Sequence, residues 1–253
     1  MVRDKHQELA INIYSSGPVS RVRKILYEKG LRFLIRKSLV FGWRVIYGFL
    51  FLRFRSQRNF TFGNESYPYF YHPYNSTWDN ERAVEIPIVM EKLSGIPGNK
   101  ELKILEVGNV LSHYFPLKWD VLDKFEDGKG IIREDIIDFA PTEKYDLIVS
   151  ISTLEHVGFD DDVKDPGKIS TAINNLKQCC LKPDGKLIFS MPLGYNPTLD
   201  EMVFKNELGF DNYYFMKRIS KCEWCEIPKN ELGDYSYAAK YIGANAIVIA
   251  TYN

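Results

Sequence analysis

Short apolar runs that end in acids recur between residues 103 and 192. Lys103-Ile-Leu-Glu-Val-Gly108 carries Glu106 and Gly108. Asp120-Val-Leu-Asp123 closes on Asp123, and Glu134-Asp135 follows the run at 130–132. Tyr145-Asp-Leu-Ile-Val-Ser-Ile151 leads into Ser152, Thr153, Glu155 and His156. A carboxylate has two acceptor oxygens, which suit ribose hydroxyls or the amino group of a base. Gly108 lets the backbone approach a ligand closely, and Asn109 tolerates a left-handed conformation. His156 exchanges a proton near neutral pH, so it suits a general base, with Glu155 beside it to orient it or hold a substrate. Together these residues imply a site for a nucleoside-bearing ligand with a proton acceptor at its mouth.

Carboxylates at those positions need an open sheet, because such sheets bind ligands at the carboxyl ends of their strands. The apolar runs alternate with polar segments of helical length, which predicts a Rossmann-like, doubly wound, mostly parallel α/β sheet. Strands are expected near 103–107, 119–122, 130–132, 146–151 and 186–191. Residues 244–251 read as an antiparallel C-terminal edge strand. Helices are expected from a Thr77 N-cap to about residue 93, and over 166–180 before a turn at 181–185. Residues 59–76 are rich in Tyr, Phe, Asn and Pro and read as irregular.

Over about residues 100–195 this layout resembles that of class I S-adenosylmethionine-dependent methyltransferases. Leu105-Glu-Val-Gly108 is similar to the family's first strand and the start of its glycine-rich loop, although later positions that are usually glycine are here Val110 and Ser112. The resemblance implies that Glu106, Gly108, Asn109 and Ser152 contact the cofactor, that Asp123 takes both ribose hydroxyls, and that Asp135 takes the adenine amino group. Leu154-Glu-His-Val157 follows the fourth strand and places His156 and Glu155 as catalytic candidates. Tyr195, Asn196, His72 and His113 are further candidates for the acceptor side. The family's amino-methylating nucleic-acid enzymes carry Asn/Asp-Pro-Pro-aromatic where this chain has Ser152-Thr-Leu-Glu155, which argues against base-amino methylation. The implied cofactor is S-adenosylmethionine, and the implied reaction is O-methylation of a small molecule, a sugar or a lipid-linked glycan. An inactive methyltransferase-like module that binds a partner or membrane is the alternative. An RNA methyltransferase is a weaker one, and nucleic acid is not the expected partner. A nicotinamide enzyme is disfavoured because Gly108 begins no G-x-G-x-x-G.

The 253 residues are 45% hydrophobic and 14% aromatic, enough for a real core, which excludes a mostly disordered chain. Three regions follow: a basic amphipathic helical extension (1–58), an aromatic cap segment with a helix (59–99), and the α/β domain (100–253). Residues 1–58 hold 13 Lys/Arg and 3 Asp/Glu; the whole chain is neutral, so residues 59–253 carry a net −10. Apolar residues recur at helical spacing from 21 to 54, and the 14-residue run at 39–52 is apolar but for Arg44 inside it. That run is shorter than the ~20 residues a spanning helix needs. Residues 21–58 are therefore expected to lie on an anionic membrane surface, at the cytoplasmic face, unless they pack on the domain. Cys222-Glu-Trp-Cys225 lacks a second pair at metal-binding spacing, so no metal is expected. No apolar leader segment precedes the cysteines, which suits a reducing, cytoplasmic setting.

Overall fold

The computed structural model describes residues 58–94 and 102–253, together with helical residues between 30 and 54. The chain forms two compact units, Met1–Arg55 and Ser56–Asn253. The expected loose start at 1–20 and the helix stop at 95–98 lie outside the described residues. In the first unit every described residue from 30 to 54 is helical.

The second unit opens with a hairpin, β1 (Asn59–Phe62) and β2 (Glu65–Pro68), where irregular structure was expected. Phe60 stacks on Tyr67 across it, Phe62 meets the Tyr67 ring edge-on, and all three are buried. A 3-10 turn at Tyr74–Asp79 precedes α1 (Arg82–Ser94). The helix starts later than expected. Thr77 is not its cap: the Thr77 hydroxyl donates to Phe70 O and accepts from His72 N, while Asn80 Oδ1 accepts from Arg82 N. Pro87 inside α1 has no amide to give Ala83 O; Phe70 N donates to that carbonyl instead, at 2.9 Å, so no acceptor is stranded.

Then follow β3 (Ile104–Val107), β4 (Asp120–Leu122), β5 (Ile131–Ile132), β6 (Tyr145–Ile151), α2 (Lys168–Asn175), β7 (Leu181–Pro192), α3 (Pro197–Phe204), β8 (Asn212–Ser220), β9 (Glu223–Ile227) and β10 (Ala246–Tyr252). A π turn at Leu176–Cys180 extends α2. The expected turn at 181–185 falls within β7, where it is the extra chain of a bulge: Tyr145 faces Leu181, and two residues on Leu147 already faces Lys186.

The eight-stranded sheet has the order β5-β4-β3-β6-β7-β10-β8-β9. Strands β3 to β7 are parallel and β8 to β10 pair antiparallel. This is the expected Rossmann-like fold. The C-terminal strand is antiparallel but is not outermost. It sits between β7 and β8, and the antiparallel edge is β9. Period-two alternation sends Leu105, Val107, Leu187, Phe189 and Val248 into one core and Leu147, Val149, Ile188 and Ile249 into the other. Helix α1 covers the second face; its Val84, Ile86, Ile88 and Val89 are buried with Phe60 and Tyr67. The order of strands reverses between β3 and β6, where a ligand crevice belongs.

Candidate active site

A cavity of about 410 Å³ opens beyond the carboxyl ends of β3, β4, β5 and β6. It is large enough for a drug-sized ligand. Gly108, Asn109, Asp123, Asp135 and His156 all line it, from four separate strand ends. Thr153, Glu134, Asp160, Asp161, Lys124 and Lys168 complete its polar lining. Glu106, Ser152 and Glu155 lie outside the lining.

Gly108 has φ +83°, and a Cβ there would sit 2.0 Å from Thr153 Oγ1, so only glycine fits. Asn109 stays outside the left-handed region. The loop keeps its shape without glycine at 110 and 112. Fully buried Glu106 alternates away from Leu105 and Val107, and its Oε1 accepts from Val110 N (2.9 Å) and Leu111 N (2.6 Å). Burial raises the Glu106 carboxyl, and these two amides oppose that rise. Asn109 Nδ2 donates to Glu126, and its Oδ1 accepts from the Ser112 hydroxyl. Glu106 thus braces the loop amides and does not face the cavity.

Asp123 is held by backbone: Oδ2 accepts from Asn109 N (3.1 Å), and Oδ1 from Phe125 N and Glu126 N. A carboxylate has about four acceptor sites, so Oδ2 keeps room for a ligand hydroxyl. Asp135 Oδ2 sits between Lys124 (2.9 Å) and Lys168 (2.8 Å), which also pair with Asp161. Burial alone would raise the Asp135 carboxyl, but the two lysines outweigh it and hold it below its ordinary value. Its Oδ1 accepts a long bond from Ile137 N (3.3 Å) and keeps acceptor capacity to spare.

His156 Nδ1 lies 2.5 Å from Asp160 Oδ2, and Tyr195 OH donates to the same oxygen at 2.6 Å. A carboxylate only accepts, so Nδ1 donates to Asp160 and Nε2 is the nitrogen left for a ligand. Tyr195 packs edge-on against the His156, Phe159 and Tyr237 rings, which fixes the imidazole plane. Behind this group is a buried polar layer. The Ser152 hydroxyl donates to Glu85 Oε1 (2.8 Å), and Glu85 pairs with Arg82. Ser152 has φ +39°, a strained conformation for a residue with a side chain. Glu155 is 1% exposed, its Oε2 has no hydrogen-bond partner, and burial together with nearby Glu85 holds its carboxyl well above the ordinary range. Its Oε1 is 3.7 Å from His156 Nε2, too far for a hydrogen bond. Asn196 caps α3 through Leu199 N and donates to Glu155 O, so it is structural here. His113 stacks on Tyr74 and His72 on Phe70, and neither lines the cavity. Among the described residues no His/Cys/Asp/Glu group has metal-binding geometry, and Cys222 is buried while Cys225 is exposed.

Sequence reading passes over Lys124, Asp160, Asp161 and Lys168. Asp160 had a local signal: it stands four residues after His156, next to Asp161 and Asp162. The lysines had none, since their partners are distant in sequence.

No protein-family model matches the sequence, and no curated protein matches it. Among solved structures the chain is similar to the N-methyltransferase NodS from Bradyrhizobium japonicum WM9 in complex with S-adenosyl-L-homocysteine, at 16% identity and TM-score 0.38, over 60% of this chain and 76% of that one. It is also similar to a TehB-like SAM-dependent methyltransferase from Corynebacterium glutamicum, at 16% identity and TM-score 0.34, over 66% of this chain and 93% of that one.

Proposed function

We propose that the chain is an S-adenosylmethionine-dependent methyltransferase acting on an oxygen of a small molecule, a sugar or a lipid-linked glycan. The observation that carries this reading is the convergence of Gly108, Asp123, Asp135 and His156, from four strand ends, on one cavity. The acceptor set fits the cofactor. Asp123 Oδ2 suits the ribose hydroxyls and Asp135 Oδ1 the adenine amino group, and Gly108 at the end of β3 lines the same cavity.

S-adenosylmethionine, when bound, supplies an electrophilic methyl on a sulfonium. The residues of the chain have two tasks: alignment, and removal of the acceptor's proton. His156 Nε2 takes the hydroxyl proton. Asp160 holds Nδ1–H and faces the positive charge that appears on the ring. The Lys124–Asp135–Lys168–Asp161 network ties the ends of β4 and β5 to α2 and keeps the floor of the site rigid.

Calorimetry with S-adenosylhomocysteine tests the reading. The wild-type chain should bind, and Asp123→Ala should weaken binding by about 1–3 kcal/mol through loss of a charged acceptor. A folded wild-type chain that gives no heat with this ligand leaves the inactive-module alternative standing.

A further inference from the structure

The helical residues of the first unit leave large apolar side chains in solvent. Leu31, Ile35, Leu39, Trp43, Ile46, Leu50 and Phe54 are each between 48% and 80% exposed. Successive members are three or four residues apart, the spacing that puts side chains on one helical face. On a continuous helix, at about 100° per residue, these positions span an arc of roughly 140°. Single exposed apolar residues are ordinary, but seven in register form a surface that needs an occupant.

Charge indicates which occupant. Residues 21–58 contain 11 Lys/Arg and one acid, Glu28, and Arg32 and Arg36 of the described residues are exposed within the same arc. A second copy would bring the same positive charge and repel it. A nucleic acid would satisfy the charge but not seven mostly aliphatic side chains. A helix that presents Arg side chains among Trp, Phe and Leu suits the headgroup boundary of an anionic bilayer, where the arginines reach the headgroups and the apolar side chains insert. No helix among the described residues is long and apolar enough to cross. We infer that the Leu31–Phe54 stripe is a docking face for an anionic lipid surface, with the side chains inserted in the plane of the headgroups. The acceptor class that follows, a hydroxyl carried on a lipid or a lipid-linked glycan, rests on the methyltransferase reading. The docking face does not.

The full chain is incubated with vesicles of phosphatidylglycerol and phosphatidylcholine, or of phosphatidylcholine alone, and sedimented. It should pellet with the anionic vesicles, be released by high salt, and stay in the supernatant with the neutral ones. Leu39→Asp with Trp43→Asp should reduce partitioning by roughly 10²-fold or more, since two inserted side chains are lost. Both positions are exposed, so circular dichroism and S-adenosylhomocysteine binding should be unchanged in this variant. Failure of cofactor binding alone therefore speaks against the methyltransferase reading and leaves the docking face intact. Trp43 also gives a direct signal. It is 68% exposed, while Trp78 and Trp224 are buried and Trp119 is half-buried, so a vesicle-induced blue shift that disappears in Trp43→Phe reports insertion at this face. The inference is overturned if the wild-type chain stays in the supernatant with anionic vesicles, whether it then proves to dimerise through the stripe or to bind RNA. It is equally overturned if the double Asp variant pellets as the wild type does.

Discussion

His156 is a candidate base because of what holds its other nitrogen. The short contact to Asp160 and the shared Tyr195 hydroxyl fix the Nδ1–H tautomer. In water the Nε2–H form of imidazole competes, so Asp160→Ala should let that form appear. Long-range proton–nitrogen NMR on histidine-labelled protein reads the tautomer directly. An Nε2–H signal from His156 in the wild type would remove it as the base. Asp200 carries a different expectation. It is 4% exposed, and burial pushes its carboxyl up to about 6 despite the bond it accepts from Gly194 N. The unfolded chain gives up this proton near 3.8, so folding loses stability as pH rises from there to about 6, and the loss is complete above it. Asp200→Asn should therefore raise stability by about 1–3 kcal/mol near pH 7.5, and the gain should vanish near pH 4. A thermal melt at the two pH values decides it. At this scale the acids at strand ends were readable, because an open sheet dictates where ligand-facing residues stand. Ser152 and Glu155 were not separable from Thr153 and His156. Adjacent residues after a strand turn in different directions, and the backbone turns sharply at Ser152, whose φ is +39°.

Strand β10 joins the two sides of the sheet. Ala246, Val248 and Ala250 face one core, and Ile247 and Ile249 face the other. Ile249 is 1% exposed between β7 and β8, so Ile249→Ala should cost about 2–5 kcal/mol, read as a lower urea midpoint at unchanged slope. A loss under about 0.5 kcal/mol would mean that this strand is not central. The parallel strands were legible as continuous apolar runs because they are covered on both faces. The position of β10 was not, because it depends on a hairpin, β8–β9, whose mixed sequence shows no clean alternation. Hairpin β1–β2 had a usable signal in Phe62-Gly-Asn-Glu65. Phe62 pairs with Glu65, which leaves a two-residue turn that starts with Gly63 at φ +61°. The density of rings around it hid that turn. The start of α1 was misplaced for a similar reason: Thr77 has the right chemistry for a cap, but Phe70 and His72 already occupy its hydroxyl.

The whole chain is neutral only by cancellation, +10 in residues 1–58 against −10 in the remainder. Among the described residues, those of both hydrophobic cores and of the cavity lining come from Ser56–Asn253. A fragment of residues 56–253 should thus fold and bind S-adenosylhomocysteine with the affinity of the full chain by calorimetry; a tenfold weaker fragment would show that the first unit completes the site. That the basic and acidic parts separate was legible from composition alone, since counting charges requires no knowledge of the fold. The sheet order has a consequence in time. Hairpin β8–β9 pairs into the sheet only through β10, which the ribosome makes later. Until residues 246–252 are free to pair, β7 and hairpin β8–β9 each have an open edge that awaits the same missing partner. The same gap on a neighbouring unfinished molecule is then a rival for β10, a route to co-aggregation that closes when the chain's own last strand inserts.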